Sequence, residues 1–164
     1  MAILMDQKGE SSSLYDQDFQ LWIEQTIKQL ENSDFEQLDR QHLIEELADL
    51  GKSEKRALES NLMILLAHLL KLKVQSDAPA MMQQSWLNSV DENRKRIQKS
   101  LKATPSLNVA LANLIESAYP DAYQLAIKEG KRAKLGVNTP DESAYPMNCP
   151  FSITEILDED FYGV

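Results

Sequence analysis

Glu45, Glu46 and Asp49 place carboxylates at spacings that could serve a divalent cation. Side chains three or four residues apart share a helix face, so Glu46 with Asp49 and Glu45 with Asp49 would point the same way from one helix. Glu36 and Asp39 repeat the spacing of three. Hard cations such as magnesium take oxygen ligands, and one or two carboxylates beside a phosphate are enough to hold them. A dinuclear centre inside a helical bundle would pair a glutamate with a histidine three residues later, and the chain has no such pair. Solvated helix charges produce the same spacing. The expectation is therefore no metal and no cofactor, with Glu45, Glu46 and Asp49 as the residues that a metal site would use.

The carboxylate spacing resembles the Glu-x-x-Glu and Glu-x-x-Asp pairs of all-helical nucleotide pyrophosphatases. There the pairs stand on separate helices, whereas these two lie close together along the chain. His68 sits inside the apolar run Leu62–Leu70, where a base or ligand could be hidden. A histidine in such a run more commonly satisfies itself on a backbone carbonyl. With Arg56, these residues form the candidate binding set: Glu45, Glu46, Asp49, Arg56 and His68. His42 is expected to be exposed near a helix start. Cys149 precedes a proline and has no Cys-x-x-Cys partner, which argues against redox or nucleophilic work.

The formal charge of −9 disfavours a general binder of nucleic acid, since a polyanion is repelled at long range. Charge is spread unevenly: residues 1–60 carry a net −8, residues 61–137 a net +5 and residues 138–164 a net −6. Arg94, Lys95, Arg96, Lys99 and Lys102 make one helix basic, but without the interleaved aromatics that stack single-stranded bases. A solvated face, or a dock for the acidic segment Asp158-Glu159-Asp160, is the expectation. The single cysteine cannot form an intrachain disulfide and fits a reducing cytoplasm. No apolar stretch approaches the roughly 20 residues of a membrane span, and Met1–Ser13 lacks the features of a secretory signal and reads as a flexible tail.

Apolar residues recur at helical spacing almost throughout. A first helix is expected from Asp16, as cap, to Glu31, with Phe19, Trp22, Ile23, Thr26, Ile27 and Leu30 on one face. A second begins after Asp39. Its stripe runs from Leu43, Ile44, Leu47 and Leu50 through Leu58, Leu62, Leu65, Leu66, Leu69 and Leu72. Leu47 and Leu58 are eleven residues apart, which at about 100° per residue keeps the two halves in phase. One helix from Asp39 to Val74 follows, with Gly51 near its buried face where a crossing backbone could approach; a break at Gly51 is the alternative. Ser85 is expected to cap a helix bearing Trp86, Leu87, Val90, Ile97 and Leu101. Pro105 opens the next helix, Pro120 kinks or restarts it, and its periodicity fades around Lys134. Gly136–Pro150 reads as a loop, and Ser152 with Glu155 forms a capping box before a short final helix. Trp22 and Trp86 are expected in the core.

Several ordered fragments carry a resemblance. They are Leu14-Tyr15-Asp16-Gln17-Asp18-Phe19 with Trp22, Leu43-Ile44-Glu45-Glu46-Leu47, and Leu50-Gly51-Lys52-Ser53-Glu54-Lys55-Arg56. They continue with Leu58-Glu59-Ser60, His68-Leu69-Leu70-Lys71 and Ser85-Trp86, then Cys149-Pro150-Phe151 and Leu157-Asp158-Glu159-Asp160-Phe161-Tyr162. In order and spacing the chain resembles the bacterial domain-of-unknown-function family 29 over about residues 14–162. That resemblance implies an all-helical fold and no activity. The fold expectation is all-α: a compact helical bundle around one long central helix, with a short C-terminal helix, as a single domain over 14–164 after the tail 1–13. The functional expectation is a non-enzymatic protein-interaction or regulatory protein, acting through an unidentified protein partner or a homo-oligomer, with no membrane association. The alternative is a divalent-metal-dependent hydrolase of a nucleotide or other phosphorylated small molecule.

Overall fold

The computed structural model describes residues 13–132 and 139–164, and every regular element among them is helical. The helices are α1 (Leu14–Gln17), α2 (Phe19–Glu31), α3 (Arg40–Val74), α4 (Ala80–Ala103), α5 (Leu107–Arg132) and α6 (Ile153–Leu157), with a 3-10 turn at Glu142–Ala144. The chain divides into two compact units, one ending at Gly51 and one running from Lys52 to Val164. The tail up to residue 12 and the fading of periodicity at Lys134 lie outside the described residues.

In the first unit the helix starts differ from expectation. Asp16 does not cap α2; it closes a capping box with Ser13 around the single turn α1. Asp18 caps α2, its carboxylate accepting from Leu21 N at 3.0 Å. Two neighbouring aspartates allowed two successive caps, and spacing alone could not choose between them. Asp39 caps α3 as expected, accepting from His42 N and, through its carbonyl, from Leu43 N.

The second unit is built on the C-terminal part of α3. Leu58, Leu62, Leu65, Leu66, Leu69 and Leu70 are fully buried there, so the helix is covered nearly all round, as a central helix must be. Trp86, Val90, Ile97 and Leu101 of α4 join the same cluster with Leu107, Leu111, Ile115, Tyr119, Ala122 and Ala126 of α5 and Ile156 of α6. The expected cap at Ser85 is corrected: α4 starts at Ala80 after Pro79, because Ala-Met-Met-Gln-Gln are good helix formers and propagate the helix back to the proline. Of the kink or restart expected at Pro120, the restart is corrected, since α5 continues as one helix through the proline. Pro120 is exposed while Tyr119 and Ala122 beside it are buried, so core packing on the inner face holds the helix across the missing hydrogen bond.

The C-terminal segment is clasped from α4. Arg94, only 2% exposed, donates to the carbonyls of Ile156 (2.9 Å), Phe161 (2.6 Å) and Glu159 (3.4 Å), and Gln98 donates to Leu157 O at 3.1 Å. Tyr162 closes the segment onto Asp91 at 2.8 Å. The segment does dock on the basic helix, but by its backbone carbonyls on a buried arginine rather than by its acidic side chains on the lysines. Gly163 then adopts φ +90, and a β-carbon there would lie 2.7 Å from Leu69 O, so only glycine fits the approach to α3.

Candidate functional site

The first unit is a helical hairpin, α2 against the start of α3, locked by a polar-aromatic cluster. Trp22 is buried and donates its indole N–H to Asp39 at 3.2 Å, and the same carboxylate meets His42 Nδ1 at 2.6 Å. Tyr15 of α1 stacks on the His42 ring, with centroids 4.0 Å apart and planes 11° from parallel, and its hydroxyl donates to Glu46 at 2.6 Å. Donating that proton to a carboxylate pushes the Tyr15 phenol up to about 12. His42 is thus half-buried and engaged, a correction to the exposed position expected from its place at a helix start.

The two histidines of the chain are held in opposite senses. Hydrogen bonding to Asp39 raises the pKa of His42 above 6.5 and lowers that of Asp39 below 3.8. Burial lowers that of His68, helped by the nearby Lys71 charge and opposed by a bond to Ile64 O at 2.8 Å. The pair in the hairpin therefore stabilises it fully between about pH 3.8 and 6.5, and loses strength above that as His42 deprotonates and below it as Asp39 protonates. His68 acts the other way, since its neutral form is favoured in the fold: its contribution is present above about pH 6.5 and fades as pH falls. Two-dimensional NMR titration is expected to place His42 above and His68 below 6.5, and hydrogen exchange to show the hairpin tightening from pH 7.5 to 5.5. Two coincident midpoints near 6.5 would refute this.

The candidate binding residues do not assemble into one site. Glu45, exposed, accepts from Gln41 at 3.2 Å, and Glu46 is taken by Tyr15. Asp49 is exposed on the same helix and is engaged. Arg56 and His68 belong to the second unit. Arg56 edges a groove of about 220 Å³ with Glu59, Ser60, Met63 and Asp121. His68 is satisfied on Ile64 O as expected, with Ser89 Oγ at 3.4 Å. Among the described residues no three of His, Cys, Asp or Glu are placed to hold a metal ion. Cys149 is half-buried and burial pushes its thiol up, against the thiolate character that nucleophilic work needs. Among the same residues no helix is long and apolar enough to cross a membrane.

What the hairpin does present is apolar surface. Of its described residues only Trp22 and Thr26 are buried, whereas Phe19, Ile27, Leu30, Ile44, Leu47 and Leu50 are 43–67% exposed. The expected stripe is therefore covered from Leu58 onward and bare from Ile44 to Leu50. Gly51 is exposed, and a β-carbon added there would meet nothing within 4 Å, which corrects the expectation of a backbone crossing it.

The family described as "Domain of unknown function DUF29" matches residues 14–162 of the 164. The chain belongs to the DUF29 family. No curated protein and no solved structure matches it. For this DUF29 chain, sequence reasoning missed the Tyr15–His42–Asp39–Trp22 cluster. The available signal was His42 three residues after the capping Asp39, a spacing that brings the imidazole back onto its cap. The bare stripe had no such signal, because Ile44, Leu47 and Leu50 repeat in phase the helical spacing of the covered leucines that follow.

Proposed function

We propose that this DUF29 chain is a non-enzymatic protein-interaction module that engages its partner through the apolar side of the N-terminal hairpin. The observation that carries the reading is the exposure of eight large apolar side chains on one short hairpin, six of them (Phe19, Ile27, Leu30, Ile44, Leu47 and Leu50) on the two helical stripes, because monomers rarely leave apolar patches above a few hundred Å² bare. The rest of the molecule supports it. The polar groups that could do chemistry are consumed locally: Glu46 by Tyr15, His42 by Asp39, His68 by Ile64 and Lys71 by Glu129. With Cys149 as its single cysteine, the sequence suits a reducing compartment such as the cytoplasm, where we place the protein.

The test is affinity capture with the full chain and two variants. Leu47→Glu with Ile44→Glu is expected to lose the bound species, while Lys99→Glu, on α4 of the second unit, keeps them. Circular dichroism should show both variants as helical as the parent, because the replaced side chains are already exposed. Capture that is indifferent to the hairpin substitution would overturn the reading. So would stabilisation by magnesium with a nucleotide in a thermal-shift assay, which the hydrolase alternative requires.

A further inference from the structure

The hairpin is one layer of a structure that needs two. Domains bury an apolar helix face against a second layer, yet among the hairpin's described residues only Trp22 and Thr26 are buried. Taking about 100° per residue, Phe19, Ile23, Ile27 and Leu30 fall within an arc of about 80° on α2, and Leu43, Ile44, Leu47 and Leu50 within about 120° on α3. In α2 the arc is turned from the inward Trp22–Thr26 line toward increasing residue angle, and in α3 it is turned from the inward His42–Glu46 line in the same sense. Gln29 of α2 reaches back to Gln37, Trp22 seven residues earlier reaches Asp39 and His42, and Tyr15 of α1 continues to Glu46, so the chain direction of α3 runs against that of α2. Antiparallel helices of one hand, turned in the same sense, show their stripes on the same side. The hairpin thus has one continuous apolar side, two helices wide.

We propose that this side is occupied by a second copy of the chain, the two hairpins packing across a two-fold axis as an antiparallel four-helix bundle. This rests on the docking reading above and names its partner. Width argues for it: a two-helix layer is matched by another two-helix layer, whereas a single partner helix would leave one stripe partly bare. Area agrees, since the six exposed apolar side chains offer on the order of 600 Å², which with flanking polar atoms approaches the roughly 800 Å² that each partner brings to a standard interface. The surface is also compatible with itself, as an isologous contact requires. The only charged residue within either arc before Gly51 is Arg40, and its guanidinium is turned back onto Phe35 O at 3.3 Å. Gly51, exposed at the end of the α3 stripe with open space around it, allows close approach of a crossing helix.

Charge opposes the pairing at long range, because residues 13–51 carry a net −8 on each copy. The carboxylates lie outside the arcs, so salt with a Debye length of about 8 Å at physiological strength screens most of that repulsion. This gives the proposal a signature of its own sign. A second copy binds more tightly as salt rises; a basic partner helix would bind less tightly.

Light scattering coupled to size exclusion and sedimentation equilibrium on the full chain, at low and high salt, test it. A dimer whose dissociation constant falls severalfold at high salt is expected. Ile44→Glu with Leu47→Glu should weaken it by roughly a hundredfold or more while leaving the circular dichroism unchanged. Leu21→Glu, on the opposite side of α2, should leave the dimer intact. A chain that stays monomeric at near-millimolar concentration in high salt would overturn the proposal, as would a dimer indifferent to the Ile44 and Leu47 substitutions. If the chain is monomeric yet capture still depends on Ile44 and Leu47, the docking surface stands and only the second copy is refuted.

Discussion

Replacing Arg94 by methionine is expected to detach the C-terminal segment and destabilise the second unit by about 3–4 kcal/mol, from three charge-assisted hydrogen bonds and the carbonyls they leave behind. Arg94 is 2% exposed, and its guanidinium donates to three carbonyls from one side chain. Burial alone disfavours its charge and lowers its pKa, with Tyr162 and Asp91 working against that shift. Methionine keeps much of the apolar stem but offers no donor, so Ile156 O stays beneath α4 unpaired while Glu159 O and Phe161 O regain partners only by moving into water. Lysine at the same position has a single ammonium in place of the planar fork and cannot reach all three carbonyls, so Arg94→Lys should fall between the parent and Arg94→Met. Urea unfolding measures the stability, and hydrogen exchange over residues 156–163 measures the release. Lys95→Met, one residue along and exposed, should change stability by less than about 0.5 kcal/mol. If Arg94→Met unfolds at the parent's urea midpoint, the clasp does not hold the segment.

The contrast between Arg94 and its neighbours shows what the sequence could convey. The run Arg94, Lys95, Arg96, Lys99 and Lys102 reads as a basic face, and charge counting cannot tell which member turns inward. Position 94 follows Val90 by four and precedes Ile97 by three, both fully buried, so its place on the inner face corrects its reading as part of the basic side, and the apolar spacing was the signal for it. Leu58 through Leu72 were legible for the same reason, since leucines at helical spacing have one way to be buried. The bare segment Ile44–Leu50 repeats that spacing in phase and differs only in having no second layer, which is a property of the surroundings and not of the stripe. Local signals divided similarly. Ser152 and Glu155 specify a reciprocal cap that forms as expected. Ser85 looked equally like a cap, but five good helix formers before it carried the helix back to Pro79. Pro120 shows the reverse override, a breaker carried inside a helix whose neighbouring residues Tyr119 and Ala122 are packed in the core. Among the candidate site residues, the spacing of Glu45, Glu46 and Asp49 correctly put them on one helix. It could not show that Tyr15, thirty-one residues before Glu46, would take one of the carboxylates.

Lys71 supplies the other large effect. Its stem runs through the core of the second unit at 5% exposure, its ammonium lies 4.6 Å from the Trp86 ring centroid, and it meets Glu129 at 2.5 Å. Glu129→Gln keeps the shape of the partner and removes its charge, which leaves a buried cation with an aromatic face and a neutral amide. Breaking a fully buried pair typically costs about 3–5 kcal/mol; because the Glu129 side chain is 35% exposed, water offsets part of this, and about 2–3 kcal/mol is expected. His68 reports the same event independently. Lys71 lowers its pKa and Glu129 raises it, so removing the Glu129 charge should move the His68 midpoint further down, by a shift visible in the NMR titration, while His42 in the other unit stays put. Lys71→Met combined with Glu129→Gln removes the buried charge altogether and should recover most of the lost stability, since an apolar replacement of a buried pair is often close to neutral. A Glu129→Gln variant as stable as the parent at pH 7, with His68 unmoved, would mean that the ion pair neither compensates Lys71 nor sets the field around His68.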